Sequence, residues 1–134
     1  MNAPKHTNVH NPFGELIGLE FSKSEDGVSQ CSLEVVDHLL NPYGVVHGGV
    51  IYSLADTGMG GALYSLLTER EQCATVEIKI VYLHYVTAGA LTCSTKVINK
   101  SRRLAYMESE IRNDERLVAK ATGTFSIFPA KTIS

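Results

Sequence analysis

Residues 50–67 read VIYSLADTGMGGALYSLL, directly after His47-Gly48-Gly49, and this stretch decides the fold. It is long and apolar enough to suggest a membrane span, with Asp56 as its single formal charge. That carboxylate would sit near the bilayer centre at a cost of about 2.5–3.5 kcal/mol, and Ser53, Thr57, Ser65 and three glycines weaken the span further. The stretch therefore reads as an apolar helix that the rest of the chain must enclose. Gly58, Gly60 and Gly61 each cost about 1 kcal/mol against alanine in a helix interior, so propensity does not explain them. Close backbone approach does: with Ala55 and Ala62 they leave room for a tightly wrapped sheet. Val50, Ile51, Leu54, Met59, Leu63 and Leu66 are expected to fill the space between. A kinked or frayed helix is the alternative that three glycines also permit.

Outward from the helix, the chain alternates with period two. In Leu117–Phe128, Leu117, Ala119, Ala121, Gly123, Phe125 and Ile127 are apolar or small while Lys120, Thr122, Thr124 and Ser126 are polar, the pattern of a half-buried strand. Ala105, Met107 and Ile111 oppose Glu108, Glu110 and Arg112 in the same way. Strands are expected at Thr75–Tyr85, Leu91–Asn99, Leu104–Arg112 and Leu117–Phe128. The short turns between them predict an antiparallel meander in sequence order. Before the helix, Leu19–Lys23 and Val28–Val35 read as strands around Ser24-Glu25-Asp26-Gly27, and Asn11–Gly18 as a short helix capped by Asn11 with Pro12 in its first turn. One long helix against antiparallel strands is α+β.

Composition sets the outer limits. The chain has 134 residues with a formal net charge of −2, which suits one domain over 1–134, frayed at 1–10, and offers nucleic acid no basic face. A domain this small has one core and is a candidate for self-association. Residues 1–12 contain no apolar signal segment, so the expected compartment is the cytoplasm, with no membrane partner. Cys31, Cys73 and Cys93 are odd in number and lack metal-ligand spacing, so each is expected to be a buried free thiol. His6, His10, His38, His47 and His84 show no close ligand spacing either, and no metal or cofactor is expected.

Two features carry chemistry. Asp56 must be hydrogen-bonded, paired or partly protonated, because an isolated buried charge is costly; a structural carboxylate would satisfy the same condition. At His47-Gly48-Gly49 the first N–H groups of the helix are unsatisfied and its dipole is positive, so a substrate oxygen gaining negative charge is stabilised there. An ordinary glycine-rich helix start is the plainer reading. Gly48 and Asp56 are eight residues apart, about 12 Å of helix rise, too far to reach one carbonyl. If both act, they belong to different subunits of a two-fold dimer.

The segment Asn41-Pro42-x-Gly44-x-x-His47-Gly48-Gly49-x-x-x-x-Leu54-Ala55-Asp56-x-Gly58 resembles the signature of hotdog-fold acyl-CoA thioesterases. Their PaaI-like (phenylacetate-pathway) branch, which includes the mammalian thioesterase superfamily member 2, is the nearest in pattern. The resemblance implies a curled antiparallel sheet around the helix, a homodimer commonly paired into a tetramer, and an acyl-CoA substrate with coenzyme A as part of that substrate. It implies Asp56 as the catalytic carboxylate and Gly48 as the N–H that polarises the thioester carbonyl. It further implies Asn41 as the group orienting water or thioester, His47 as support for that corner, and Thr75 as a hydroxyl near the water. Lys100-Ser101-Arg102-Arg103 replaces the usual Gly-Arg turn, and its basic side chains are matched to the coenzyme A phosphates; a solvated turn is the alternative.

Asp56 is expected to activate water as a general base, with attack through an anhydride as the rival. A hotdog hydratase or dehydratase acting on acyl-CoA, and an acyl-CoA-binding module without catalysis, are the competing functions. Acyl preference is expected to involve Met59, Leu63, Tyr82, Leu83 and Tyr85.

Overall fold

The computed structural model describes residues 11–131, so the expectation of a frayed segment at 1–10 falls outside the described residues, as do His6 and His10. Helix α1 (Pro12–Ile17) starts where the cap predicts: Asn11 Oδ1 accepts the Gly14 N–H at 3.1 Å, and Gly18 closes the helix in the left-handed region. Strands β1 (Glu20–Glu25) and β2 (Val28–Glu34) meet at a two-residue turn. Asp26 and Gly27 both have positive φ (52° and 78°), the geometry whose twist matches a tight hairpin. The strand β1 therefore runs two residues past the expected Lys23.

A short 3-10 turn (Asp37–Leu39) leads into α2 (Gly48–Tyr64), and β3 (Glu71–Tyr82), β4 (Ala90–Lys100), β5 (Leu104–Asn113) and β6 (Arg116–Pro129) follow. They form one six-stranded antiparallel sheet in the order β1-β2-β4-β5-β6-β3 that curls around α2. Only β4, β5 and β6 form the expected sequential meander. Strand β3 pairs with β6 and lies at the far edge, because the segment after Tyr82 crosses over before β4 begins and β4 pairs instead with β2. The strand also starts at Glu71 and ends at Tyr82, earlier than expected at both ends.

The sheet packs against the helix at its small residues. A Cβ on Gly58 would lie 2.8 Å from Thr95 Oγ1 and 3.1 Å from Cys93 Sγ, and one on Gly61 would overlap the Phe21 ring. At these two positions glycine is needed for close approach. Gly60 is different: its nearest neighbour would be Phe125 Cε2 at 3.9 Å, ordinary contact. Ile51, Leu54, Ala55, Met59, Ala62 and Leu63 are buried as expected, whereas Leu66 lies beyond the helix end and is 39% exposed. Ser29 Oγ donates to Gly58 O at 2.6 Å, and Thr95 and Ser109 share a hydrogen bond at 2.7 Å, so the buried hydroxyls under the helix are satisfied.

Ala119, Ala121, Gly123, Phe125 and Ile127 line the inner face of β6. A register shift near Arg112 turns Val118 inward as well, which breaks the alternation at that end. Cys31 and Cys93 are free, fully buried and directly opposite each other on β2 and β4; their mutual hydrogen bond, and then burial, push the Cys31 thiol up. Cys73 departs from the expectation of burial and is half-exposed, because it sits on the edge strand. No helix among the described residues is long and apolar enough to cross a membrane.

Candidate active site

The first turn of α2 is built from its cap. His47 occupies the N-cap position, and its Nδ1 accepts the Gly49 N–H at 2.8 Å. The His47 N–H is itself taken by Leu39 O at 2.9 Å, and the Gly48 carbonyl accepts the Tyr82 hydroxyl at 2.7 Å. The Gly48 N–H has no hydrogen-bond partner among the described residues. An uncapped N–H at the positive end of a helix is a donor for an oxygen that gains charge.

Two turns further on, Asp56 is half-buried and aimed at β3. Thr75 Oγ1 donates to its Oδ1 at 2.6 Å, a charge-assisted hydrogen bond that leaves Oδ2 for another donor. Cys73 lies on the same side of β3; burial, and then the negative charge of Asp56, push its thiol up. It is therefore a protonated thiol at neutral pH and a poor nucleophile.

The structure brings Asp56 and Thr75 together and separates this pair from Gly48 by about 12 Å along the helix. His47 is engaged as a cap. The Asn41 side chain serves its own loop, with Oδ1 accepting from Tyr43 N–H at 2.9 Å and Val45 N–H at 3.3 Å. Lys100, Ser101, Arg102 and Arg103 form an exposed turn between β4 and β5. Ser101 bonds back to Leu104, and the three basic side chains make no ion pair among the described residues. Lys100 pairs with Ala105, Ala105 with Phe125 and Phe125 with Thr75, so the basic turn and Thr75 occupy one row of the sheet. Three strand spacings put them roughly 14 Å apart.

Beside Gly48 is a cavity of about 270 Å³ lined by Ile51, Tyr82, Leu83, Tyr85 and Val86 among others. Tyr82, Leu83 and Tyr85 line this cavity together with Gly48. Met59 and Leu63 do not, because both are fully buried in the core beneath the helix. The hydrogen bond from Tyr82 to Gly48 was not legible in the sequence, where Tyr82 reads only as part of an apolar wall. No spacing rule marks it, because an irregularity in β3 sets which face Tyr82 occupies.

The thioesterase superfamily profile matches residues 43–120, which contain the α2 first turn, Asp56 and β3. The chain belongs to the thioesterase superfamily. This thioesterase is 32% identical over 113 residues to a protein of Saccharolobus solfataricus that carries an esterase name, covering 84% of this chain and 75% of that one. Among solved structures it is similar to a conserved protein of Pseudomonas aeruginosa, at 37% identity and a TM-score of 0.86, covering 92% and 98% of the two chains. It is also similar to the phenylacetic acid degradation protein PaaI of Thermus thermophilus, at 28% identity and a TM-score of 0.81, covering 87% and 98%. The helix wrapped by a curled antiparallel sheet is the hotdog fold of these neighbours, and the thioesterase is a thioester hydrolase.

Proposed function

We propose that this thioesterase hydrolyses the thioester of an aryl- or medium-chain acyl-CoA to the free acid and coenzyme A, at a site shared by two copies of the chain. The observation that carries the reading is the pairing of a hydroxyl-held carboxylate, Asp56 with Thr75, with an uncapped N–H at Gly48 on the same helix. Asp56 takes a proton from water, the resulting hydroxide adds to the carbonyl carbon, and the Gly48 N–H of the other subunit receives the oxyanion. Collapse breaks the C–S bond and expels the thiolate, which the proton held by Asp56 neutralises. A thiolate is a good leaving group, so no separate strong acid is required.

Dimerisation is supported by the edge position of β3. Its outer side is unpaired, Val76, Val81 and Tyr82 on it and Leu83 just past it are exposed, and an unpaired apolar edge invites a second strand. Antiparallel pairing of β3 with its copy carries the Thr75 end of one strand toward the Tyr82 end of the other. That juxtaposes Asp56 of one subunit with Gly48 of its partner, as the 12 Å separation requires. An aryl acyl group among these substrates is supported by the aromatic and apolar cavity beside Gly48 and by the likeness to PaaI. The coenzyme A half is supported by the exposed Lys100, Arg102 and Arg103, whose charges suit phosphate.

The test is thiol release by the purified protein across aryl-, short-, medium- and long-chain acyl-CoAs, with specific activity followed on dilution alongside sedimentation. Turnover of aryl or medium-chain members that falls as the dimer dissociates is the expected result. Failure on every acyl-CoA rejects the reading, and activity retained by a monomer rejects the shared site.

A further inference from the structure

Strand β3 carries both groups that touch the two ends of the site, and it does so through an irregularity. Thr75 faces α2 and bonds Asp56; seven residues later Tyr82 also faces α2 and bonds the Gly48 carbonyl. Residues an odd number apart on a regular strand point to opposite faces. The register of β3 against β6 explains the exception: Thr75 pairs with Phe125 and Glu77 with Thr124, so Val76 is an extra residue with no partner. One inserted residue exchanges the faces of everything beyond it. Before the bulge Cys73 and Thr75 face the helix, and after it Ile78, Ile80 and Tyr82 do, with Ile78 and Ile80 packed on the core.

We propose that Tyr82 is a positioning residue for the oxyanion donor: its hydroxyl, brought to the helix side by the Val76 bulge, holds the Gly48 carbonyl, in the peptide unit after the donor, and so restrains the backbone rotation at Gly48 that would turn its N–H. This rests on the function proposed above. Gly48 has no side chain of its own to lock the first turn. The groups around its N–H are each engaged: the His47 N–H by Leu39 O, the His47 carbonyl by the Val50 N–H, the Gly49 N–H by His47 Nδ1, and the Gly48 carbonyl by Tyr82. Of these holds, Tyr82 alone reaches across from β3, the strand that also fixes Asp56 through Thr75. Burial, and then the neighbouring Tyr52 hydroxyl, push the Tyr82 phenol above the usual tyrosine range, so it stays a proton donor at neutral pH. Donors that stabilise an oxyanion act through preorganisation, so a looser first turn weakens the transition state more than the bound substrate.

Tyr82→Phe separates this role from that of a cavity wall, because the ring stays and only the hydroxyl goes. Steady-state thiol release should show kcat reduced about tenfold with KM within about twofold of the wild type. Amide hydrogen exchange should accelerate at residues 49 and 50 more than in the rest of α2, with the melting temperature changed by no more than a few degrees. An unchanged kcat, or a raised KM with kcat retained, would overturn the proposal and leave Tyr82 as a wall. If the wild type cleaves no acyl-CoA, the proposed function fails, and exchange at residues 49 and 50 still decides the hold: acceleration in Tyr82→Phe supports it and unchanged exchange rejects it.

Discussion

Thr75 Oγ1 lies 2.6 Å from Asp56 Oδ1, a hydrogen bond between the edge strand β3 and the middle of α2. It turns a carboxylate on an apolar helix into an oriented group, with one oxygen engaged and the other open. Removing the hydroxyl should let the carboxylate rotate without disturbing the core, because Thr75 is exposed. Thr75→Ala is expected to lower kcat about tenfold and Thr75→Ser to retain most of it. Equal losses in both variants would mean that the methyl group, and not the hydrogen bond, matters.

Asp56→Asn preserves size and shape and removes the carboxylate proposed as base. The variant should fold and bind acyl-CoA with affinity close to the wild type, yet release thiol at least about a hundredfold more slowly. Calorimetric titration with a substrate, paired with single-turnover thiol release, measures both. Near-normal turnover would remove Asp56 from the mechanism.

Cys73 reports on the same carboxylate. Burial is the larger cause of its raised pKa and the charge of Asp56 the second, and both disfavour the thiolate. At any pH below the raised pKa the thiolate fraction is smaller than in a free cysteine, so alkylation at pH 8 should be slow. Replacing Asp56 with Asn removes the negative charge, lowers the Cys73 pKa and should speed alkylation. Mass spectrometry resolves Cys73 from Cys31 and Cys93, which are fully buried and should stay unmodified while the protein is folded. A rate at Cys73 insensitive to Asp56→Asn would contradict the proposed electrostatic coupling.

Two glycines of α2 should respond in opposite ways to alanine. At Gly58 the new methyl meets Thr95 Oγ1 at 2.8 Å and Cys93 Sγ at 3.1 Å, both held in buried hydrogen bonds, so overpacking of about 1–3 kcal/mol exceeds the helix-propensity gain. At Gly60 the nearest atom is 3.9 Å away, and the gain of up to about 1 kcal/mol should show. Thermal unfolding should place Gly58→Ala several degrees below the wild type and Gly60→Ala at or above it. The reverse order would mean that the sheet does not press on the helix where the distances put it.

The helix, its start at His47-Gly48-Gly49, its carboxylate and most of the inner faces of β5 and β6 were readable from local pattern. Apolar periodicity marks which side of an element is buried, and glycine and asparagine mark where it starts. The motif from Asn41 to Gly58 also pointed to the family, because it joins a helix start to a carboxylate at a constant spacing. Cys73 and Leu66 were misplaced inward, since composition registers that a side chain is apolar and not that its strand lies at an edge, as for Cys73, or that the helix ends before it, as for Leu66.

What the chain order alone could not convey is which strand neighbours which. Alternation looks the same whether β3 pairs with β4 or, as it does, with β6, because strand pairing is a long-range choice made by the packing of the whole sheet around α2. That choice leaves β3 at the edge, where it is free to meet a second copy. The extra residue at Val76 is equally silent in the sequence, yet it turns both Thr75 and Tyr82 toward the helix. Local pattern thus singled out Asp56 and Gly48, and the nonlocal pairing of one bulged edge strand brought Thr75 and Tyr82, which bond them, into place.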